Sequence, residues 1–117
     1  TVLVDVTPEM DIAQSMEVFG PVFPVIGFDT FDEAMAIANN TTYGLSAGVM
    51  TSNIATAMKA ARAIQSGTCV INGTGDYRTS YHGFGGYKMS GVGRDGALHT
   101  LEEFSEVKTT VLRGVMA

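Results

Sequence analysis

Residues 22–72 alternate three strand-like segments with two helix-like segments, and this alternation limits the possible folds of the chain most strongly. The strand-like segments, rich in β-branched and small apolar residues, span residues 22–28, 46–50 and 68–72. A strand–helix–strand–helix–strand order is typical of two successive parallel crossover units. We therefore predict an α/β fold built from parallel βαβαβ units.

Both helices of this region have start signals in the sequence. Thr30 is followed three residues later by Glu33, which is the pattern of a capping box, and this helix is expected to end near residue 39. Ser52 or Asn53 is expected to cap the second helix, because apolar residues recur behind them at helical spacing. Gly67 is expected to end that helix in the left-handed conformation.

Shorter elements are expected on both sides of the alternating region. Thr7 and Pro8 resemble a helix cap followed by proline at the first helical position. Pro24 cannot donate a ladder hydrogen bond, so its strand is expected to be bulged there or to lie at a sheet edge. The further predicted elements are strands over residues 1–6 and 106–113, and helices over residues 11–16 and 94–104.

A glycine-rich run covers residues 83–96, with Phe84 near its start and a glycine on either side of that ring. One interpretation is a surface loop with a single anchoring ring, and the other is the rim of a ligand pocket. The loop follows the last predicted parallel strand, and ligand crevices in such sheets lie at the carboxyl ends of strands. This topology favours the pocket. The dinucleotide-like pattern Gly91-x-Gly93-x-x-Gly96 is interpreted as a decoy, because no buried strand precedes it.

Composition limits the classes of function. The chain has 117 residues, enough for one domain at most, with 45% hydrophobic and 16% charged residues and a net charge of −5. This negative charge argues against nucleic-acid or anionic-membrane partners. The chain has no run long enough to span a bilayer, no signal peptide and a single cysteine, so we expect a cytoplasmic location. Because the sequence opens on Thr1, we expect a piece of a longer protein.

The residues themselves offer no obvious reaction centre. Cys69 lies in a predicted buried strand, where a free thiol behaves as a small hydrophobe, and is therefore interpreted as structural. His82 and His99 lack the spacing of a metal site; His82 could line a pocket, whereas His99 is expected on a helix surface. Lys88 lacks the spacing of a phosphate-binding loop, because Met89 follows it. We therefore predict no metal site.

Four motifs occur together in the order known from one enzyme family. They are EVFGP at residues 17–21, NTTYGLSA at 40–47, FGGYKMSG at 84–91 and LEEFSEVK at 101–108. Together they resemble the carboxyl-terminal quarter of an NAD(P)-dependent aldehyde dehydrogenase, over essentially all 117 residues. The resemblance divides the chain into the end of a catalytic domain, residues 1–104, and an oligomerisation strand with a tail, residues 105–117.

The resemblance implies a chemistry and a role for three residues. In that family a cysteine thiolate attacks the aldehyde to give a thiohemiacetal, hydride passes to NAD or NADP, and a glutamate-activated water hydrolyses the thioester. Neither the nucleophile nor the base motif is in this sequence, so the chain alone is expected to be inactive. Glu17 resembles the glutamate that binds the nicotinamide ribose, Phe19 the aromatic near the nicotinamide, and Phe84 the phenylalanine at the mouth of the substrate tunnel.

The resemblance leaves the substrate open. Family members usually have proline where Gly83 stands, so this loop is expected to be less restrained. Tyr77, Tyr81 and His82 would suit an aromatic or bulky aldehyde, whereas Arg78 would suit a carboxylated one. The expected partners are the aldehyde, the rest of the same polypeptide, and identical subunits in a homodimer or homotetramer. The competing hypothesis is a self-contained small α/β metabolite-binding or regulatory module.

Overall fold

The computed structural model describes residues 1–115. The strands are β1 (Val2–Leu3), β2 (Phe23–Pro24), β3 (Ser46–Val49) and β4 (Thr68–Ile71). The helices are α1 (Asp11–Gln14), α2 (Phe31–Asn39), α3 (Ile54–Ala63) and α4 (Ala97–Glu103), with a 3₁₀ turn at Lys88–Ser90 before α4. The predicted α/β class and the order of elements up to α4 are confirmed.

The strands form two separate parallel pairs. β1 pairs with β2, and β3 pairs with β4 in a register that places Ser46 opposite Thr68. The β3–α3–β4 crossover is confirmed, whereas β2 and β3 are not paired with each other in the described part of the chain. Phe23 donates its N–H to the Thr1 carbonyl at 2.9 Å, and so the nitrogen of Pro24 faces the opposite edge. Proline has no hydrogen to donate there, and the edge is left unsuited to a third strand.

Local hydrogen bonds explain where the two longer helices begin. The Thr30 hydroxyl accepts the Glu33 N–H at 3.2 Å, while the Glu33 carboxylate accepts the N–H of Asp29, one residue before the cap. The Asn53 side chain accepts the N–H groups of Ala55 and Thr56 at 2.9 and 3.1 Å. Both predicted caps are confirmed, and Asn53 is the residue that caps α3.

Two predicted helix boundaries are wrong. Thr7 and Pro8 do not open α1: the Thr7 carbonyl accepts the Met10 N–H in a turn, and the helix begins at Asp11. Gly67 does not end α3 in the left-handed region, because the helix already ends at Ala63 and Ile64 is extended. Glycine is instead required at position 67 because the backbone there lies close to the glycine run.

The chain is elongated and buries little. Its radius of gyration is 20.1 Å, whereas a compact domain of roughly this length has a radius of about 13 Å. The buried apolar side chains among residues 1–115 are those of Val6, Ala57 and Ala60. In this part of the chain, no helix combines the length and apolar character needed to cross a membrane.

The carboxyl-terminal segment differs from its prediction. α4 begins at Ala97, three residues later than expected, because Gly96 adopts a φ of 149° outside the helix. Residues 106–113 form no strand in the described chain, since they have no ladder partner there. A strand is defined by its pairing, so an alternating pattern alone does not produce one. Met116 and Ala117, the end of the predicted tail, lie outside the described residues.

Candidate functional site

The glycine run is fastened to the segment that follows α2. The Tyr87 N–H donates to the Gly44 carbonyl at 2.8 Å, and the Gly44 N–H donates to the Ser90 hydroxyl at 2.9 Å. The Met89 N–H donates to the Thr42 carbonyl at 3.0 Å. Two of the motifs recognised in the sequence therefore bind each other directly, through a buried Gly44.

Lys88 adds a further contact at this junction between the glycine run and the segment that follows α2. Its ammonium donates to the carbonyls of Asn39 and Thr41 at 2.9 and 3.0 Å, at the carboxyl end of α2. A cation is favourable there, because the helix dipole and the free carbonyls make that end negative. Lys88 has a φ of 53°, which costs energy for a residue with a Cβ. No sequence pattern predicts this role, because it depends on the end of a helix 47 residues or more away in the chain.

Close approach of the backbone explains two glycines at the junction. A Cβ at Gly67 would overlap the carbonyl oxygen of Gly85, and a Cβ at Gly85 would lie 2.5 Å from the carbonyl oxygen of Gly93. Gly91, Gly93 and Gly96 all have positive φ and follow the 3₁₀ turn. The 3₁₀ turn stands directly before these glycines, in the place where a dinucleotide-binding pattern has a buried strand.

Phe84 is half-buried at the head of this loop. Its N–H and carbonyl pair with the carbonyl and N–H of Asp95 at 2.7 and 2.6 Å, forming an isolated antiparallel bridge. The guanidinium carbon of Arg78 lies 3.9 Å from the centre of the Phe84 ring. Arg78 also forms an ion pair with the Asp95 carboxylate at 3.3 Å. Asp95 thus holds the Phe84 backbone and Arg78 contacts the Phe84 ring, and the two supports are joined through the Arg78–Asp95 ion pair.

A hollow of roughly 570 Å³ lies beside this arrangement. It is lined by Arg78, Thr79, Ser80, His82, Asp95, Gly96, Ala97 and Thr100. His82 therefore lines a pocket, as the sequence allowed, and its ring centre is 6.3 Å from that of Tyr77. His99 is exposed on α4, as expected. Within residues 1–115, no cluster of side chains is suited to hold a metal.

Glu17 and Phe19 lie in the turn between α1 and β2, and both are exposed. The Phe19 ring is 94% exposed, and the Glu17 carboxylate has no hydrogen-bond partner among residues 1–115. Both carboxylate oxygens are therefore free to accept from a pair of hydroxyl groups, which fits a ribose diol. No hydrogen bond or ring contact in the described chain joins this turn directly to Phe84.

One indirect connection does join the two parts. The Ser15 hydroxyl, two residues before Glu17, accepts from both the N–H and the hydroxyl of Thr42 at 3.3 and 3.1 Å. The Thr42 carbonyl in turn holds Met89 of the glycine run. Sequence reasoning missed Ser15 and this use of Thr42, because hydroxyl residues in loops are too common to signal a specific contact.

Cys69 lies in β4 with its side chain half-buried. Burial raises the pKa of the Cys69 thiol above that of an ordinary cysteine. A thiol with a raised pKa is protonated at neutral pH and is a poor nucleophile. These observations agree with the structural interpretation of Cys69.

Comparison with known proteins identifies the family. The model of the aldehyde dehydrogenase family matches residues 1–110. A lactaldehyde dehydrogenase of Methanococcus maripaludis is 43% identical over 107 residues, which are 92% of this chain and 23% of the relative. The structure of an NAD-dependent aldehyde dehydrogenase from Sinorhizobium meliloti superimposes with a TM-score of 0.88 at 43% identity, covering 99% of this chain and 23% of that one.

A second solved structure adds a bound cofactor to the comparison. It is a mutant of the P. syringae indole-3-acetaldehyde dehydrogenase in complex with NAD+ and IAA, with a TM-score of 0.82 and 45% identity. The match covers 91% of this chain and 21% of that enzyme. The chain therefore spans less than a quarter of the length of these relatives. The family match over residues 1–110 shows that the chain belongs to the aldehyde dehydrogenase family.

Proposed function

We propose that this chain is the carboxyl-terminal part of an NAD(P)-dependent aldehyde dehydrogenase that oxidises an aldehyde to a carboxylic acid. The observation that carries the proposal is the family match over residues 1–110, supported by a solved relative that covers 99% of the chain. Residues 1–104 contribute to the catalytic domain, and residues 105–117 contribute an oligomerisation strand and tail. The nucleophilic cysteine and the general-base glutamate belong to other parts of the enzyme.

The chain contributes to the cofactor side through Glu17 and Phe19. NAD or NADP, when bound, supplies the acceptor for the hydride. The Glu17 carboxylate has both oxygens free to accept from the two ribose hydroxyls, and the exposed Phe19 ring offers an apolar surface for the nicotinamide. The NAD+ complex of the P. syringae relative supports this choice of cofactor.

The chain contributes to the substrate side through Phe84, at the mouth of the substrate tunnel. The ring is half-buried beside an open hollow, and its backbone is held by Asp95. An apolar ring held in this way selects aldehydes by the shape of the group that passes it. Phe84 therefore orients substrate and does not take part in bond making.

The partners follow from the exposed apolar surface. Phe19, Phe104 and Val107 are each at least 88% exposed. Exposed apolar surface of this kind is normally covered by another domain or subunit. We assign this cover to the rest of the polypeptide and to identical subunits of a cytoplasmic homodimer or homotetramer. A self-contained metabolite-binding module would need a core of its own, which Val6, Ala57 and Ala60 do not supply.

The test uses the full-length enzyme that carries this segment, with Glu17→Gln as the variant. The amide of glutamine lacks one of the two charged acceptor oxygens, so the nicotinamide should be misplaced. We expect hydride transfer to slow by about a hundredfold, because a displacement of about an ångström can lower the rate by that factor. Stopped-flow detection of NADH measures this step. Glu9→Gln, the same change at an exposed glutamate outside the proposed site, is the matched control.

Two results would contradict the proposal. The first is a Glu17→Gln enzyme with an unchanged hydride-transfer rate and unchanged cofactor affinity, which would return Glu17 to an ordinary exposed carboxylate. The second is aldehyde-dependent NADH formation by the purified 117-residue chain. We expect that chain to be inactive by itself, because the nucleophile and the base are supplied from elsewhere.

A further inference from the structure

Phe84 lacks the support that neighbouring side chains normally give to a ring. Gly83 and Gly85 flank it, so no adjacent Cβ limits where the ring can swing. The bridge to Asp95 fixes the backbone at this point but leaves the side chain free to change rotamer. Whatever fixes the ring must therefore come from outside the immediate sequence.

Arg78 is the group that meets this need. Its guanidinium carbon lies 3.9 Å from the ring centre, well within the distance at which a cation is attracted to an aromatic face. The same guanidinium forms an ion pair with Asp95 at 3.3 Å. Because the Asp95 backbone pairs with the Phe84 backbone, these contacts form a closed ring through three residues.

The carboxylate of Asp95 is held as well. One oxygen pairs with Arg78, and the other accepts from the Thr100 hydroxyl at 3.3 Å. The charge of Arg78 is thus already balanced by a fixed anion within the loop. A guanidinium in this state is suited to supporting a ring and is poorly placed to attract a carboxylate on the substrate.

We propose that Arg78 is a positioning residue that holds the Phe84 ring, with Asp95 holding Arg78 in place. The consequence for aldehyde selection rests on the proposed function of Phe84: Arg78 influences the choice of substrate through the ring and makes no direct contact with the aldehyde. The side chains of Arg78 and Asp95 are both more than half exposed, so each contact by itself stabilises the ring position only weakly. The ring is held by the closed arrangement of the contacts together.

The first measurement does not depend on the enzymatic role of Phe84. In the full-length protein, Arg78→Ala should speed hydrogen exchange at the Phe84 and Asp95 amides by on the order of three- to tenfold, as loss of a cation–π contact and an exposed ion pair predicts. Arg78→Lys, which keeps a cation near the ring, should show a smaller increase. Arg62→Ala, at an exposed arginine on α3, should leave these amides unchanged.

The second measurement is a double-mutant cycle on kcat/KM for aromatic, aliphatic and carboxylated aldehydes. Arg78→Ala and Phe84→Ala should shift the aromatic-to-aliphatic preference in the same direction. In the Phe84→Ala background, Arg78→Ala should change this preference by less than about twofold, because two residues that act through one contact are not additive.

The outcomes separate the two proposals. Unchanged exchange at the Phe84 amide after Arg78→Ala would overturn the positioning role. An Arg78→Ala loss that persists in the Phe84→Ala background, or that is confined to carboxylated aldehydes, would also overturn it, because Arg78 would then contact the substrate directly. If Phe84→Ala leaves the preferences unchanged, the tunnel role of Phe84 is wrong, and the exchange rates alone decide the role of Arg78.

Discussion

The two sides of the proposed site are built in opposite ways. The Phe84 side is supported within the chain: its backbone pairs with Asp95, and its ring lies against Arg78. The Glu17 side is an open turn, with the Phe19 ring 94% exposed and the Glu17 carboxylate unpartnered within residues 1–115. Under the proposed roles of Phe84 and Glu17, this segment shapes the substrate side by itself, whereas the cofactor side needs the rest of the enzyme to complete it.

The contrast extends to the carboxyl-terminal segment. Residues 106–113 lack a strand partner in the described chain, although Val107, Thr109 and Val111 alternate as a strand would require. Unpaired alternating segments are templates for pairing with another chain. The least supported parts of the molecule are thus the parts for which we propose intermolecular or interdomain contacts.

The largest effect is expected from removing this segment. If residues 106–113 form the proposed oligomerisation strand, deletion of residues 106–117 from the full-length enzyme should convert the proposed oligomer to a smaller species. Light scattering coupled to size-exclusion chromatography measures the mass. Deletion of residues 114–117 alone, which spares the predicted strand, should leave the oligomer intact. If the longer deletion also leaves the oligomer intact, the interface lies elsewhere.

Local signals in the sequence predicted the parts of the fold that depend on near neighbours. The Thr30 and Asn53 caps, the β3–α3–β4 unit and the lining position of His82 all follow from short-range patterns or topology. The roles of Gly67 and Lys88 were not predictable in the same way. Each depends on a segment 18 residues away or more, and a single sequence contains no measure of that proximity.

The close approach of Gly67 to Gly85, the residue after Phe84, should be sensitive to added side-chain volume. Gly67→Ala would place a Cβ on the Gly85 carbonyl, so we expect a loss of about 1–3 kcal/mol in the free energy of unfolding. Denaturant unfolding of the full-length enzyme measures it. Gly27→Ala, where no atom lies within 4 Å of the added Cβ, is the matched control and should change stability by less than about 0.5 kcal/mol. Equal stability of the two variants would mean that the close approach is not maintained in solution.

The contact of Lys88 with the carboxyl end of α2 should contribute less to the free energy of unfolding than the packing at Gly67 does. Lys88→Met keeps the length of the side chain and removes the charge at the end of α2, which should cost about 1 kcal/mol of stability. The loss should shrink at high salt, because the site is exposed and the interaction is partly screened. Lys108→Met, in the segment without strand pairing, provides the comparison. A Lys88→Met enzyme as stable as Lys108→Met at low salt would show that the contact contributes nothing.

The smallest effect is expected at Cys69, which lies within the supported part of the fold but outside both sides of the proposed site. Cys69→Ala should leave kcat/KM unchanged, since the thiol takes no part in the reaction. In the unmodified enzyme the thiolate is the form that reacts with iodoacetamide, and burial raises the pKa of this thiol. At pH 8 the thiolate fraction of Cys69 is therefore smaller than that of free glutathione. Alkylation of Cys69, measured by mass spectrometry of its peptide, should be slower than alkylation of glutathione at this pH and should accelerate only at higher pH. Alkylation as fast as that of glutathione at pH 8, or a loss of activity in Cys69→Ala, would make Cys69 a reactive site instead of a structural one.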